Sequence, residues 1–287
     1  MGKRLLIAVL LLILLAGSAM MFAGWLLSRP VPVRIGTAPA DLQAEEIRFR
    51  SDSGAEVHGW WCPIEGSRGS ILLLPGIRAN RLSMVERARF LRRVGYSTLL
   101  VDLQATGETP GDRITFGWRE SRDVVAAVGF LRKATPETKI AVVGSSLGGA
   151  AALFAAPELQ LDGMVLEAVY PTMRRATENR LRKYLGSAGT TLSYPLLLAD
   201  AEAAPPDSGA AAAHRVSRGT WLPCPHHQWR RRSQHDPEDA VALYHRAPPP
   251  KELWLVEGAG HVDLHRAAGA AYEERLLGFL SRMERGR

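Results

Sequence analysis

Lys139-Ile140-Ala141-Val142-Val143-Gly144-Ser145-Ser146-Leu147-Gly148-Gly149-Ala150-Ala151-Ala152 is the stretch on which the reading of this chain turns. An apolar run of strand length leads into Gly-x-Ser-x-Gly, and a run of small residues suited to a closely packed helix follows. A serine on so sharp a strand-to-helix turn projects its hydroxyl from the sheet edge. Gly144 and Gly148 fit such a turn because side chains at those two places would collide across it. The N–H of Leu147, at the start of the helix, is then free to meet a developing oxyanion. Ser146 is therefore the expected nucleophile, the competing reading being a structural glycine-rich turn.

Working outward, apolar runs alternate with helical patterns, the signature of a mostly parallel sheet covered on both faces. Strands are expected over residues 70–75, 97–103, 139–143, 163–169 and 252–256, with a hairpin over 46–50 and 56–61. Helices are expected over 81–94, 118–133, 147–156, 238–246 and 267–285. In the first of these Met84, Ala88 and Leu91 share a face. The loop Pro75-Gly76-Ile77-Arg78-Ala79-Asn80-Arg81 follows the strand at 70–75, and its Ile77 N–H is the candidate second oxyanion donor. Asn80 can serve as a helix cap in the same loop, and both roles can hold together.

The chain has 287 residues, 46% hydrophobic and 23% charged, with 27 Gly and 18 Pro. That is chain enough for one domain with a full core, and too few cysteines for a disulfide scaffold. Lys+Arg 36 against Asp+Glu 29 gives +7 and a pI near 9.8. The charges fall as Glu/Arg mixtures (Glu86-Arg87, Arg119-Glu120, Glu273-Glu274-Arg275) that read as solvated helix faces. No basic stripe interleaved with aromatics points to nucleic acid.

Residues 1–30 read as a signal anchor and 31–287 as the catalytic domain. Residues 5–27 carry no charge, long enough as a helix to cross about 30 Å of hydrocarbon. A cleaved signal with its small-residue site near Gly17-Ser18-Ala19 is the alternative, but the run outlasts a usual signal core of about 7–15 residues. Lys3 and Arg4 place the short N-terminal flank in the cytoplasm and the domain on the extracytoplasmic side, a single-pass arrangement.

Pro75-Gly76…Asn80-Arg81, Asp102…Gly107-Glu108-Thr109, the Ser146 elbow, Leu166-Glu167-Ala168-Val169-Tyr170-Pro171 and Gly258-Ala259-Gly260-His261 together resemble the α/β-hydrolase superfamily. Within it the chain looks like the membrane-anchored, serine-aminopeptidase-like hydrolases. The likeness covers about residues 47–184 and 237–280. Pro75 stands where the family usually has His, and Thr106-Gly107-Glu108-Thr109 where it has His-Gly-x-Ser; neither change removes a side chain that does chemistry. The resemblance implies the chain order nucleophile, acid, base, with the base after the last strand, hence His261. It makes Asp102 structural.

The resemblance also implies an Asp about 30 residues before the base, after a buried strand. Residues 222–235 offer instead Leu222-Pro223-Cys224-Pro225-His226-His227-Gln228-Trp229-Arg230-Arg231-Arg232-Ser233-Gln234-His235, from which no buried strand is expected. Read one base later, back-translated His226-His227-Gln228-Trp229 allows Ile-Ile-Ser-Gly, and residues 230–232 allow Ala-Glu-Asp. Residues 200–235 are accordingly expected to be frame-shifted, replacing the penultimate strand and acid loop, the competing reading being a genuine Pro/Ala-rich insertion. In the chain as it stands the acid is Asp236, with Glu167 the alternative, or it is absent. The spacing of Cys224, His226, His227 and His235 fits no established metal pattern, and no metal or cofactor is implied.

The expected function is acyl transfer to water: cleavage of an ester, or less readily an amide, through an acyl-enzyme on Ser146, on a small-molecule acyl substrate, weakened by loss of the usual acid. The alternative is a non-catalytic membrane-anchored relative, a decayed enzyme or an interaction module. Oligomeric state is not legible.

Overall fold

The computed structural model describes residues 2–170, 172, 174–175, 178, 181–182, 186, 220–226, 237–257 and 263–285. Helix α1 (Gly2–Ser28) precedes β1 (Val31–Pro32), and the domain proper begins with the hairpin β2 (Glu45–Arg50) and β3 (Glu56–Cys62). Then come β4 (Ser70–Leu74), α2 (Val85–Arg93), β5 (Ser97–Val101), β6 (Thr106–Gly107), α3 (Glu120–Ala134), β7 (Ile140–Ser145), α4 (Leu147–Ala155) and β8 (Gly163–Glu167). The chain continues with β9 (Thr220–His226), α5 (Pro237–Arg246), β10 (Lys251–Glu257), α6 (Leu264–Ala268) and α7 (Ala270–Glu284). Eight strands form one sheet in the order β10-β9-β8-β7-β4-β5-β3-β2. The pairs β2–β3 and β3–β5 are antiparallel, the rest parallel.

The central strands are largely apolar because both sheet faces are covered. Successive side chains point to opposite faces, so Leu72 and Leu74 of β4 enter one core with Val124 and Leu131 of α3 and Leu153 of α4. Ile71 and Leu73 enter the other, with Leu91 of α2 and Leu276 and Leu280 of α7. The expected strands and helices are found within a few residues of their expected ends, apart from the single helices expected over 81–94 and 267–285. Each divides in two, the first opening with a 3₁₀ turn over Arg81–Met84 capped by Asn80, whose side chain accepts from the Leu82 N–H at 3.0 Å.

Two expectations are corrected. First, a strand does form where none was expected. Thr220–His226 lies between β8 and β10, with Trp221 and Leu222 buried into opposite cores. Trp221 stacks on Trp254 at 5.9 Å and on Phe279 at 6.3 Å. The prolines are accommodated because β8 pairs only with Thr220 and Trp221, so Pro223 and Pro225 lie beyond the end of that ladder. The rest of residues 200–235 lies outside the described residues. Second, Arg87 and Glu120 are not solvated: Arg87 is 2% exposed and Glu120 fully buried. Glu120 accepts from the N–H groups of Thr115 and Gly117, both at 2.8 Å, and from the Thr115 hydroxyl at 2.7 Å.

The N-terminal residues form a helix, with Leu5, Leu6, Leu11, Leu14, Leu15 and Phe22 among its exposed apolar side chains. Among the described residues no helix is long and apolar enough to cross a membrane, so the expected span is not shown.

Candidate active site

Between β7 and α4 the backbone turns within a single residue. Ser146 sits at φ 49°, ψ −109°, a sparsely populated region for a residue with a side chain, costing about 1–3 kcal/mol that the surrounding packing must hold in place. Its N–H donates to the Glu167 carbonyl at 2.8 Å, and its carbonyl accepts from the Ala150 N–H at 3.0 Å. The turn is fixed at both ends while the hydroxyl takes no part in capping α4. The two glycines are sterically required. A Cβ on Gly144 would lie 2.6 Å from the Gly149 nitrogen, and one on Gly148 would lie 2.6 Å from the Pro75 carbonyl oxygen. Ser146 itself is 7% exposed.

The loop after β4 crosses directly over this turn, since a Cβ on Gly76 would lie 3.7 Å from that of Ser146. Ile77 follows, and among the described residues neither its N–H nor that of Leu147 has a hydrogen-bond acceptor. Both are available to a negatively charged oxygen formed at Ser146. The loop is held by a buried charge cluster. Asp102, at the end of β5, accepts from the Arg81 N–H at 2.7 Å and the Glu108 N–H at 3.0 Å, and pairs with the Arg81 guanidinium, which also pairs with Glu108. Gly107, at φ 58°, is obligatory there: a Cβ would lie 2.3 Å from the Asp102 carboxyl carbon. Thr109 ties the same turn, donating to the Asp102 carbonyl at 2.8 Å and accepting from the His58 N–H at 2.9 Å.

His261 and Asp236, the expected base and acid, lie outside the described residues. Glu167, the alternative acid, is described and is fully engaged. It is 1% exposed, accepts from Arg87 Nε at 3.1 Å and Nη2 at 2.6 Å, and also accepts from the Tyr272 hydroxyl. Arg87 reaches on to Asp263 at 2.7 Å, and Asp263 caps α6 through the N–H groups of His265 and Arg266. Burial together with the Glu167 charge pushes the Tyr272 hydroxyl well above its usual value, so it remains a neutral donor. Sequence reasoning missed this network although a signal was present. Arg87 lies three residues after Met84 and four before Leu91, on the apolar face of its own helix, where an unpaired charge would be costly.

The pattern of the alpha/beta hydrolase family matches residues 71–275, from β4 into α7. Among curated protein sequences none matches the chain. Solved structures share the fold. An esterase of Pyrococcus furiosus is 22% identical with a TM-score of 0.71, over 88% of this chain and 99% of that one. An α/β hydrolase of a Penicillium species is 16% identical with a TM-score of 0.64, over 84% and 99%. A serine hydrolase without a lid from Xanthomonas campestris is 15% identical with a TM-score of 0.55, over 88% and 96%. With the family pattern spanning more than half of its length, laid on this sheet order and this serine turn, the chain belongs to the alpha/beta hydrolase family.

Proposed function

We propose that the chain is a serine hydrolase that cleaves an ester bond through an acyl-enzyme on Ser146. The observation that carries the reading is the strained Ser146 turn, set beside two unpaired N–H groups, at Ile77 and Leu147. Ser146 Oγ attacks the acyl carbon while its proton passes to His261, and the carbonyl oxygen, now negative, is held by the two N–H groups. The intermediate collapses, the C–O bond to the alcohol breaks, and the alcohol leaves with the proton from His261. Water then attacks the acyl-enzyme by the same route, giving the carboxylic acid and free Ser146. Ester is chosen over amide on the likeness to an esterase of P. furiosus. Asp236 orients His261; the engagement of Glu167 with Arg87 and Tyr272 favours a structural role for that carboxylate.

Residues 5–27 anchor the enzyme in a bilayer, with the domain on the extracytoplasmic side. Support comes from the uncharged run and from the apolar side chains that the helix turns outward. The frame-shift reading of residues 200–235 rests on the missing family acid loop, and the nucleotide sequence across those codons decides it. The test of the hydrolase is labelling by a fluorophosphonate probe of the wild type beside Ser146→Ala. Labelling that depends on Ser146 is expected; its absence from folded wild type would establish the non-catalytic alternative.

A further inference from the structure

The end of α1 is fastened to the domain rather than hanging from it. Arg78 donates to the Leu26 carbonyl at 3.3 Å, and the Ile114 N–H donates to the Ser28 carbonyl at 2.6 Å. Only Arg29 and Pro30 separate α1 from β1, which pairs with β6. Two of these partners belong to the surroundings of Ser146. Arg78 follows Ile77 in the loop that crosses the nucleophile. Ile114 opens the segment whose Gly117 lies against α4, where a Cβ would be 3.0 Å from the Ala151 nitrogen. The helix therefore ends against the loop that follows β4 and crosses Ser146.

Among the described residues three large apolar side chains outside α1 are exposed: Val33, Leu82 and Trp118, at 42%, 47% and 39%. Single exposed hydrophobes are ordinary, but these share one rim. The Val33 N–H donates to the carbonyl of Gly107, which lies against Asp102, the partner of Arg81 beside Leu82, and the Trp118 N–H donates to the carbonyl of Thr115, next to Ile114, so all three lie a few contacts from the points where α1 is fastened. The rim also carries exposed Arg29, Arg34 and Arg78. Apolar and aromatic tips among arginines suit a membrane interface, where the former enter the acyl boundary and the guanidinium groups meet phosphate. Distance reinforces this. Two residues extend about 7 Å at most, so the bilayer anchor proposed for residues 5–27 holds this rim against the lipid surface.

We propose, resting on the anchor and on Ser146 as nucleophile, that the rim of Val33, Leu82 and Trp118 docks on the bilayer in which residues 5–27 are anchored. The site then opens at the lipid surface and takes an amphiphilic acyl ester resident in the membrane.

The test uses the full chain reconstituted in phosphatidylcholine vesicles containing phosphatidylglycerol. A polarity-sensitive fluorophore is attached through Leu82→Cys, or through Glu137→Cys at the opposite edge of the sheet, both in a Cys224→Ser background, Cys62 being buried. Lipids carrying a nitroxide on the acyl chain should quench the first label several-fold more than the second. Equal, weak quenching overturns the docking, as does failure of the chain to float with the vesicles. A label at 82 that is dry yet unquenched assigns the rim to a second copy of the chain and overturns it too. None of these readouts needs hydrolysis. In parallel, the ratio of turnover on a vesicle-embedded acyl ester to that on a water-soluble butyrate ester should fall at least ten-fold in Leu82→Ser/Trp118→Ser. An unchanged ratio overturns the substrate assignment, and wild type inert on both esters overturns the hydrolase reading and the substrate with it.

Discussion

Glu167→Gln separates a structural from a catalytic carboxylate at the end of β8. The substitution keeps the side chain's shape and one carbonyl oxygen, and removes its charge from a site that is 1% exposed. Arg87, 2% exposed, then loses the ionic half of two contacts at 3.1 and 2.6 Å and keeps Asp263 at 2.7 Å. Removing one partner of a buried ion pair costs about 3–5 kcal/mol, chiefly because the remaining charge is left unpaired in a dry site. Asp263 and the retained carbonyl offset part of that, which places the expected loss near the lower end, about 3 kcal/mol. For a domain of this size that corresponds to a fall of about 6–12 °C in Tm. The assay is urea and thermal unfolding of the full chain in detergent micelles, beside the fluorophosphonate labelling rate of the folded protein. Glu167→Leu combined with Arg87→Met should recover most of the lost stability, because it buries no charge. A structural role predicts a large stability loss with the labelling rate of the folded fraction within about ten-fold of wild type. The opposite outcome, a stability change under about 1 kcal/mol with labelling reduced by about 10⁴, as expected for loss of the group orienting a catalytic histidine, would refute the reasoning and make Glu167 the acid.

Other expectations follow from the same coordinates. Gly144→Ala puts a methyl 2.6–2.8 Å from backbone atoms of Gly148 and Gly149. It should lower the labelling rate of Ser146 at least a hundred-fold with the far-ultraviolet circular dichroism retained; wild-type labelling would show the turn to be tolerant. Gly107→Ala, at positive φ and against the Asp102 carboxylate, should cost at least about 2 kcal/mol in urea unfolding. Burial pushes the Asp123 carboxyl up to about 6, against its hydrogen bonds from Ser53 and Gln104. Between pH 4 and 6 the native state then holds a proton that the unfolded chain has released, so stability falls as pH rises through that window, by about 3 kcal/mol at most. Asp123→Asn should flatten that slope, and an unchanged slope in pH-dependent unfolding would assign it to another group.

The serine turn was legible in sequence because its requirements are local. An apolar strand, two positions where a Cβ meets backbone, and a small-residue helix are all written within fourteen residues, and the same holds for the Asn80 cap. The strand at Thr220–His226 was not legible. Two prolines argue against an inner strand, and only the register, which ends the β8 ladder at Trp221 before the first proline, removes the objection.

By itself, then, the sequence determined the α/β-hydrolase fold class, the serine turn, the strands and helices other than the strand at Thr220–His226, and the apolar N-terminal run, since each follows from side-chain period or backbone sterics over a few residues. The tertiary structure decided which charges are buried. The partners of Arg87 stand 80, 176 and 185 residues further along, and no local pattern joins them. It also decided where α1 ends, against the loop that crosses Ser146, because that placement depends on hydrogen bonds from Arg78 and Ile114, groups on separate loops that no local pattern joins.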